Sequence, residues 1–226
     1  MAARDKTNLI TRLHSLVYFE SLTPDQLENL AAQTQTRHFV AGENIFLEGE
    51  AAAGLWLVEQ GRVKIYKINP DGEEHILHFL GAGNTFNDIA ALDGGLNPAN
   101  AAALSDITLW LVPSAVLHDL LLRDAQVALR VIRVLAGRVR GLVQQIEDLA
   151  LYSVTIRLAR FLIKQTENPA LSGPGVTRAA IAAHLATKPE TVSRALRTLE
   201  ENGTIRFDRH RILITDEKLL HTIAAL

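Results

Sequence analysis

The 226-residue sequence predicts an α+β fold, in which a small antiparallel β-domain precedes one long helix and a compact C-terminal domain. Three observations lead to this prediction. Short apolar runs separated by glycine fill residues 36–112, a heptad pattern follows, and two short helical patterns with a β-hairpin come last. We therefore expect three segments, namely 1–120, 121–150 and 151–226.

Composition is that of a folded protein without disulfides. Hydrophobic residues make up 48% and charged residues 21% of the chain, as in globular domains. No apolar run approaches the roughly 20 residues that span a bilayer, and the N-terminal stretch lacks the apolar centre of a secretion signal. We expect a cytoplasmic protein with no membrane partner. The lack of cysteine excludes disulfides, thiolate nucleophiles, cysteine-bound zinc and cysteine-held iron–sulfur clusters.

Charge is distributed unevenly along the chain. Residues 151–226 contain eleven Lys and Arg against seven Asp and Glu, whereas 1–150 contain twelve against eighteen. The resulting balances of +4 and −6 add up to the net charge of −2. A basic C-terminal segment on an acidic body favours a polyanionic partner for that segment. Chance scatter of surface charge is the alternative.

The N-terminal half begins with short helices and continues as strands. Thr23 is a typical N-cap, and Pro24 suits the first position of a helix. From there on, the runs LWLV, RVKIYKI and HILHFL are separated by Gly61, NPDG and GAG. Many short strands at this spacing predict a small antiparallel barrel or sandwich.

A long helix with a narrow apolar seam follows. Its apolar residues alternate at spacings of four and three, with charged and amide side chains between them. A strict seam of this kind is typical of a coiled-coil partner, whereas a helix on a domain core usually has a wider stripe. We therefore expect a parallel helix pair and a homodimer; the alternative is a helix packed on its own barrel. The seam consists of Ala128, Ile132, Leu135, Val139, Leu142, Ile146 and Leu149.

The C-terminal segment has the layout of a winged helix-turn-helix. The helical runs TRAAIAAHL and PETVSRALRTLEEN are separated by the short turn ATK, and Gly203 suits the end of the second helix. TIRF and RILIT then flank the basic tip DRHR, as the two strands of a wing would. In this motif the N-terminal part of the second helix enters the major groove of DNA.

Three side chains at the start of the second helix are predicted to read bases. Glu190, Ser193 and Arg194 lie at i, i+3 and i+4 and so share a face. Arg suits guanine, Glu accepts from cytosine, and Ser serves either base or phosphate. An ordinary exposed Glu–Arg pair is the alternative. Contacts to the DNA backbone are expected from Thr177, Arg178, Thr187, Lys188 and Arg197, and wing contacts from Arg209 and His210.

These motifs together resemble the cyclic-AMP receptor protein and fumarate–nitrate reductase regulator (CRP/FNR) family, over about 10–226. The resemblance implies a jelly-roll-like β-roll of the cyclic-nucleotide-binding type, a long dimerisation helix and a winged helix-turn-helix. It also implies a homodimeric transcription regulator, typically an activator, with double-stranded DNA and RNA polymerase as partners. ETVSR matches the E-x-x-S-R motif that the family associates with palindromic TTGAT-like half-sites. Pro189 replaces the Arg of the cyclic-AMP branch, so its TGTGA half-site is not expected.

The resemblance also places the effector cassette at FNDIAALDGGLNPANAAA, which begins at Phe86. In relatives that bind cyclic nucleotides, a Glu holds the ribose hydroxyl, and an Arg with a following Ser or Thr holds the cyclic phosphate. Here Asp88, Asn97 and Pro98 occupy those positions. Asn lacks the charged fork that suits phosphate, and Pro has no backbone N–H to offer. Cyclic AMP is therefore not expected as the effector.

Haem is a further candidate cofactor. VKIYKINPDGEEHIL, NTF and KPETVSR are similar to the cysteine-independent dissimilatory nitrate respiration regulators, a subgroup associated with haem and nitric oxide. Haem iron most often takes a His ligand, but no single ligand stands out. We expect His184 and His210, in the C-terminal segment, to contact DNA or solvent. The histidines are His14, His38, His75, His78, His118, His184, His210 and His221.

Two other interpretations of function remain. One is a regulator that binds DNA constitutively and whose sensor domain is vestigial; only DNA binding without ligand separates it from a true sensor. The other is an enzyme, but the sequence has no Gly-rich phosphate loop, metal-ligand spacing or nucleophile motif. The favoured mechanism is a two-state dimer in which a ligand sets the separation of the recognition helices, at roughly 34 Å for one DNA turn.

Overall fold

The computed structural model of the chain describes residues 3–173, 175–208 and 212–225. It divides into two compact units: the first combines the residues up to Val63 with Leu80–Leu142, and the second combines Lys64–Phe79 with the residues from Val143 onward. The described elements are α1 Ala3–Ser15, α2 Pro24–Gln33, β1 Gln35–Phe39, β2 Asn44–Phe46, β3 Gly54–Gln60, β4 Arg62–Ile68, β5 Glu74–Gly81, β6 Thr85–Phe86, α3 Asp88–Asp93, β7 Asn100–Ala103, β8 Ile107–Pro113, α4 Ser114–Arg123, α5 Ala125–Leu151, α6 Val154–Glu167, a 3-10 turn Pro169–Leu171, α7 Arg178–His184, α8 Pro189–Glu201, β9 Ile205–Phe207, β10 Ile212–Ile214 and α9 Glu217–Ile223. Within these ranges no helix combines the length and the apolarity that crossing a bilayer requires.

Strands β1–β8 form the predicted β-domain, which we call the roll. One four-stranded sheet has the order β1-β8-β3-β6 and the other β2-β7-β4-β5. Strand β8 pairs antiparallel with both β1 and β3, so that Trp110 faces Thr36 on one side and Leu57 on the other. The short strands and the glycine-containing turns between them confirm the antiparallel architecture that the sequence predicts.

Two glycines are required where strands approach closely. Gly54 has φ +155°, and a Cβ there would lie 2.0 Å from the carbonyl oxygen of Val112. Gly61 connects β3 to β4 at φ +93°, and its Cβ would lie 2.5 Å from the carbonyl oxygen of Asp106. Neither conformation suits an L side chain, so any larger residue would have to displace β8 or the turn before it.

The first unit is held together by a continuous apolar core. Helix α2 begins at a capping box, in which Thr23 accepts from the backbone N–H of Gln26 and Gln26 accepts from that of Thr23, as the cap prediction requires. Leucines of α1 and α2 pack with the β3 and β8 residues and with Val127 of α5. The largest fully buried side chains include Trp110 and Phe19, and burial of each large apolar side chain contributes about 1.5–3 kcal/mol.

The long helix α5 runs for 27 residues and has two different sides in its first half. Val127 and Val131 are buried in the core of the first unit, and Val134 and Leu135 pack against it. Arg138 follows on the same side. The N-terminal half of the helix is therefore attached to the domain that precedes it, which is the alternative that the seam pattern left open.

The second unit contains the predicted helix-turn-helix. Helices α6, α7 and α8 bury apolar residues against each other, and β9 pairs antiparallel with β10, with Ile205 opposite Ile214. Gly203 ends α8 at φ +76°, as predicted. Helix α9 lies outside the sequence prediction, although Asp216 caps it by accepting from the N–H of Leu219 and Leu220 is fully buried.

Candidate nucleic-acid interface and effector region

The start of α7 carries two of the predicted backbone-contacting residues. Thr177 is the N-cap, and its hydroxyl accepts from the N–H of Ala180. Arg178 donates to the carbonyl oxygen of Asp208, and its guanidinium lies 5.2 Å from the ring centroid of Phe207. The two contacts fix this Arg beside the first strand of the wing, so its charge is held at the N-terminal end of the helix-turn-helix.

The turn between α7 and α8 depends on one strained alanine. Ala186 adopts the left-handed conformation with φ 49°, which is unfavourable for a residue with a side chain. The N–H of Thr187 then donates to the carbonyl oxygen of Ala182. Lys188 is the N-cap of α8 and makes no capping bond with its side chain, which is exposed.

Helix α8 separates a buried face from a charged one. Val192, Leu196 and Leu199 are fully buried, and they orient the helix with its opposite face exposed. That face carries Glu190, Arg194 and Arg197, all exposed. The half-buried Ser193 donates its hydroxyl to the carbonyl oxygen of Pro189 at 2.9 Å, which leaves the lone pairs of the hydroxyl available.

The charges on α8 have no ion-pair partner among the described residues. Glu190 and Arg194 stand four residues apart, yet no salt bridge joins them. The ordinary Glu–Arg ion pair, which was the alternative to a role in base reading, is therefore not formed between these two residues. Lys188 and Arg197 are likewise exposed, so the N-terminal half of α8 presents both signs of charge to a partner.

The structure describes the wing up to Asp208 and again from Ile212. Arg206 pairs opposite Leu213 in the hairpin. The predicted wing contacts Arg209 and His210 lie outside the described residues.

On α5, the seam residues divide between the core and the surface. Ala128 and Leu135 are half-buried on the first unit. The other five seam residues are exposed, by 60% for Ile132, 58% for Val139, 48% for Leu142, 66% for Ile146 and 48% for Leu149. A stripe of this length that is apolar and open is what a second helix would cover.

The predicted effector cassette is occupied by contacts within the chain. Asp88 is 3% exposed, and its Oδ2 lies 2.6 Å from Nε of Arg138 and accepts from the hydroxyl of Tyr18 at 2.8 Å. Burial, with Asp88 nearby, raises the pKa of Tyr18 to about 12. The carboxylate of Asp88 is thus already paired with a cation and hydrogen-bonded within the chain.

The rest of the cassette is also engaged. Asn97, 3% exposed, accepts from the side chain of Asn87 at 2.9 Å and donates to the carbonyl oxygen of Leu47 at 3.2 Å. Phe86 is buried and stacks on Trp56, with ring centroids 6.1 Å apart, so it belongs to the core. Pro98 is the one exposed member of the four cassette residues.

Two histidines of the second unit, His75 and His184, contact the backbone of the chain itself. His75 and His184 each contact a backbone carbonyl through Nδ1, His75 that of Ala183 at 2.8 Å and His184 that of Ile76 at 3.0 Å. His184 also lies 5.3 Å from the ring of Phe79, and burial lowers its pKa to about 4. The prediction that His184 meets DNA or solvent is therefore wrong, because the aromatic residues that bury it come from distant parts of the chain. Among the described residues no group of three or more His, Cys, Asp or Glu side chains could hold a metal ion.

Comparison with known proteins agrees with both parts of this architecture. Residues 36–124 match the cyclic nucleotide-binding domain, and residues 156–223 match the Crp-like helix-turn-helix domain. The cyclic AMP receptor protein of Thermus thermophilus is 29% identical over 208 residues, which cover 91% of this chain and 95% of the relative. The fumarate nitrate reduction regulatory protein of Klebsiella oxytoca is 26% identical over 207 residues, covering 88% and 82%.

Solved structures give the same result. FixK2 from Bradyrhizobium japonicum superposes with a TM-score of 0.75 at 28% identity, covering 85% of this chain and 98% of that one. A roll followed by a long helix and a winged helix-turn-helix defines a DNA-binding transcription regulator. The chain belongs to the CRP/FNR family of such regulators, whose named members are regulators rather than enzymes.

Proposed function

We propose that the chain is a homodimeric transcription regulator that reads a palindrome of TTGAT-like half-sites. The observation that carries this proposal is the exposed face of α8, where Glu190 and Arg194 have no ionic partner among the described residues. In the first turns of a recognition helix, a carboxylate can accept a hydrogen bond from cytosine and a guanidinium can donate to guanine. Glu190 and Arg194 together could therefore discriminate these two bases by contacts to their edges. Ser193 supplies a third polar group on this surface.

Contacts to phosphates would position the helix without reading sequence. Lys188 and Arg197 are exposed on α8, and Thr177 and Arg178 begin α7. Thr187, in the turn, has a backbone N–H that already donates to Ala182, so its hydroxyl is the group that would face DNA. These residues would follow the backbone on both sides of the reading face.

The dimer is supported by the open apolar stripe on α5. Its exposed Ile and Val side chains would be covered by the same stripe of a second copy, in the a and d positions of a parallel pair. A two-fold protein matches a palindromic site, with the recognition helices about one DNA turn, roughly 34 Å, apart. RNA polymerase is the further partner that the family suggests for the DNA-bound dimer.

The effector is proposed not to be a cyclic nucleotide. The carboxylate of Asp88 is paired with Arg138 and Tyr18, so a ribose hydroxyl would have to displace a charged partner. Asn97 supplies no cation for a phosphate and is bonded within the chain. These contacts favour a second candidate function, a regulator that binds DNA without any ligand in the roll.

Neither His38 nor His118 offers a good site for haem. The exposed His38 opens into a cleft of about 320 Å³, but Glu43 and Asp106 line the same cleft, and their carboxylates would repel haem propionates. His118 contacts the carbonyl oxygen of Leu92 through Nε2 at 3.0 Å, so this nitrogen is already engaged within the chain. We therefore derive no haem-dependent step.

The test is the binding of purified protein to labelled duplexes by fluorescence anisotropy, at one salt concentration and without added ligand. We expect a palindrome of two TTGAT half-sites one turn apart to bind at least about a thousandfold more tightly than a scrambled duplex. Insertion of half a turn between the half-sites should abolish most of this preference. Equal affinity for all three duplexes would contradict the proposal, whereas specific binding without ligand would favour the ligand-independent candidate.

A further inference from the structure

A small basic cleft lies within the second unit, apart from both the recognition helix and the cassette. It has a volume of about 110 Å³ and lies among the end of α5, strand β5, and helices α6 and α7. The charged side chains that line it are Arg157, Arg160, Lys164 and Asp148. Three cations and one acid give the cleft a net charge of +2 with the histidines neutral, so it favours an anion.

The acid is already used by one of the three cations. Arg160, 7% exposed, forms a salt bridge with Asp148 and donates through Nε to the carbonyl oxygen of Ala224 at 2.8 Å. Tyr152 stacks on the same guanidinium, 3.9 Å from its carbon to the ring centroid. This group is therefore saturated by the protein, and its role in the cleft is structural.

The other two cations have no acidic partner within hydrogen-bonding distance among the described residues. Nε of Arg157 is buried and has no hydrogen-bond acceptor, and burial lowers the pKa of Arg157. A buried donor without a partner is unfavourable, and an acceptor brought by a ligand would satisfy it. Lys164, seven residues along α6, is exposed and lines the same cleft. Because two turns of helix separate them, both side chains lie on one side of α6.

The remaining polar walls are fixed. His75 and His184 line the cleft, and each uses Nδ1 for its backbone contact. These contacts hold the imidazole rings in one orientation. The cleft therefore has two polar walls positioned by the protein and two cations that lack an acidic partner within hydrogen-bonding distance in the part of the chain that the structure describes.

Size selects the class of ligand. Pockets for drug-sized ligands and cofactors measure about 300–1,000 Å³, several times the volume of this cleft. A nucleotide does not fit, whereas a tetrahedral oxyanion does. Arg is suited to bidentate recognition of such an oxyanion, and Lys acts as a point charge beside it.

We propose that this cleft binds a phosphoryl dianion, either inorganic phosphate or the phosphate end of a small metabolite, held by Arg157 and Lys164. Because the cleft includes residues of α5, β5 and the helix-turn-helix, the anion stabilises this arrangement of the second unit at the expense of others. Occupancy would then alter DNA affinity, a consequence that rests on the proposed function; the binding itself does not.

The first test is isothermal calorimetry on the full-length protein without DNA. Inorganic phosphate and glycerol phosphate are titrated separately, at constant ionic strength set by chloride. We expect saturable binding of at least one of them, and about a tenfold or greater loss of affinity in Arg157→Gln. Lys164→Gln, which changes an exposed side chain, should also weaken binding. Arg123→Gln is the matched control, because Arg123 is exposed and ion-paired with Asp119 on α4.

Further measurements distinguish a loss of anion binding from a loss of folding or of DNA binding. Thermal melting of each variant without phosphate establishes that it is folded. Arg157→Lys keeps the positive charge but lacks the guanidinium fork, so it should bind phosphate more weakly than wild type. Absence of binding by both probes, or equal affinity in Arg157→Gln and Arg123→Gln, would overturn the site. Calorimetric binding in a protein that shows no sequence-specific DNA affinity would leave the site standing and remove the proposed function. Phosphate should shift the DNA affinity of wild type but not that of Arg157→Gln.

Discussion

Nε of Arg138, in the middle of α5, lies 2.6 Å from Oδ2 of Asp88, the first residue of α3. The side chain of Asp88 is 4% exposed and that of Arg138 is 33% exposed, so water screens the pair only from one side. The hydroxyl of Tyr18 donates to the same oxygen. A carboxylate at the start of α3 therefore ties the middle of the long helix to α3 and to Tyr18.

Removal of one partner of this pair should be costly. Arg138→Gln leaves the buried carboxylate of Asp88 without a cation, with only hydrogen bonds from Tyr18 and from the backbone N–H of Ile89 among the described contacts. We expect the free energy of unfolding to fall by about 2–3 kcal/mol. Asp88→Asn removes the charge as well and should cost less. The double variant should be more stable than the sum of the two losses predicts. Urea titration measures all three.

A matched control for this experiment is the pair between Arg130 and Glu20. The side chain of Glu20 is 47% exposed, and exposed pairs contribute at most about 1 kcal/mol. Glu20→Gln should therefore change stability little. A loss as large as that of Arg138→Gln would show that burial does not distinguish the two pairs.

Tyr18 makes the first unit sensitive to alkali. Its pKa is raised from 10 to about 12, first by burial and then by the charge of Asp88. The unfolded chain releases this proton at lower pH than the folded chain. The contribution of the protonated Tyr18 hydroxyl to the free energy of unfolding is therefore complete below pH 10 and is lost as pH rises to 12. Wild type should lose on the order of 2–3 kcal/mol more than Tyr18→Phe over this window. If the free energies of unfolding of wild type and Tyr18→Phe fell in parallel between pH 10 and 12, the raised pKa of Tyr18 would be contradicted.

His184 makes the second unit sensitive to acid. Burial lowers its pKa from 6.5 to about 4, and the nearby His78, His75 and Lys164 add to the shift. The folded state favours the neutral ring. The contribution of neutral His184 to the free energy of unfolding is therefore complete above pH 6.5 and is lost as pH falls toward 4. The loss should be on the order of 3 kcal/mol, and His184→Gln should remove this part of the pH dependence. His221→Gln, on the surface of α9, serves as control and should retain it.

Much of the architecture follows from local sequence patterns. The cap at Thr23, the end of α8 at Gly203 and the amphipathic face that orients α8 each depend on residues within one or two turns. Patterns of this kind determine where elements begin and end and which face is buried. The charged face of α8 could be predicted for the same reason.

Interactions between distant residues could not be predicted in this way. Asp88 and Arg138 are fifty residues apart, and nothing in the cassette indicates which cation reaches the carboxylate. His184 was expected at the DNA or in solvent, yet it is half-buried and its ring packs against Phe79 and Phe161. The short helix α9 went unrecognised because its capping Asp216 precedes only one fully buried apolar residue.

The seam on α5 should be required for dimerisation and not for folding. Ile146 is 66% exposed in the single chain, so Ile146→Glu should leave the melting of the isolated protomer unchanged. Burial of an unpaired charge in the seam should weaken the dimer by at least about a hundredfold. Sedimentation equilibrium measures the dissociation constant, with the exposed Arg140→Glu as control. A dimer that survives Ile146→Glu would place the interface elsewhere.

Arg194 and Lys188 should differ in how their loss affects DNA binding. Arg194→Ala removes a proposed contact to a base, so it should cost about 1–3 kcal/mol on the specific site and relax the preference at one base pair. Lys188→Ala removes a proposed contact to phosphate, so it should weaken specific and random duplexes alike and reduce the salt slope by about 1 per protomer. Anisotropy titrations at several salt concentrations separate the two effects. Because Lys188 caps α8 only through its backbone, its substitution leaves the helix intact, and a selective loss of specific binding in this variant would instead assign Lys188 to the reading face.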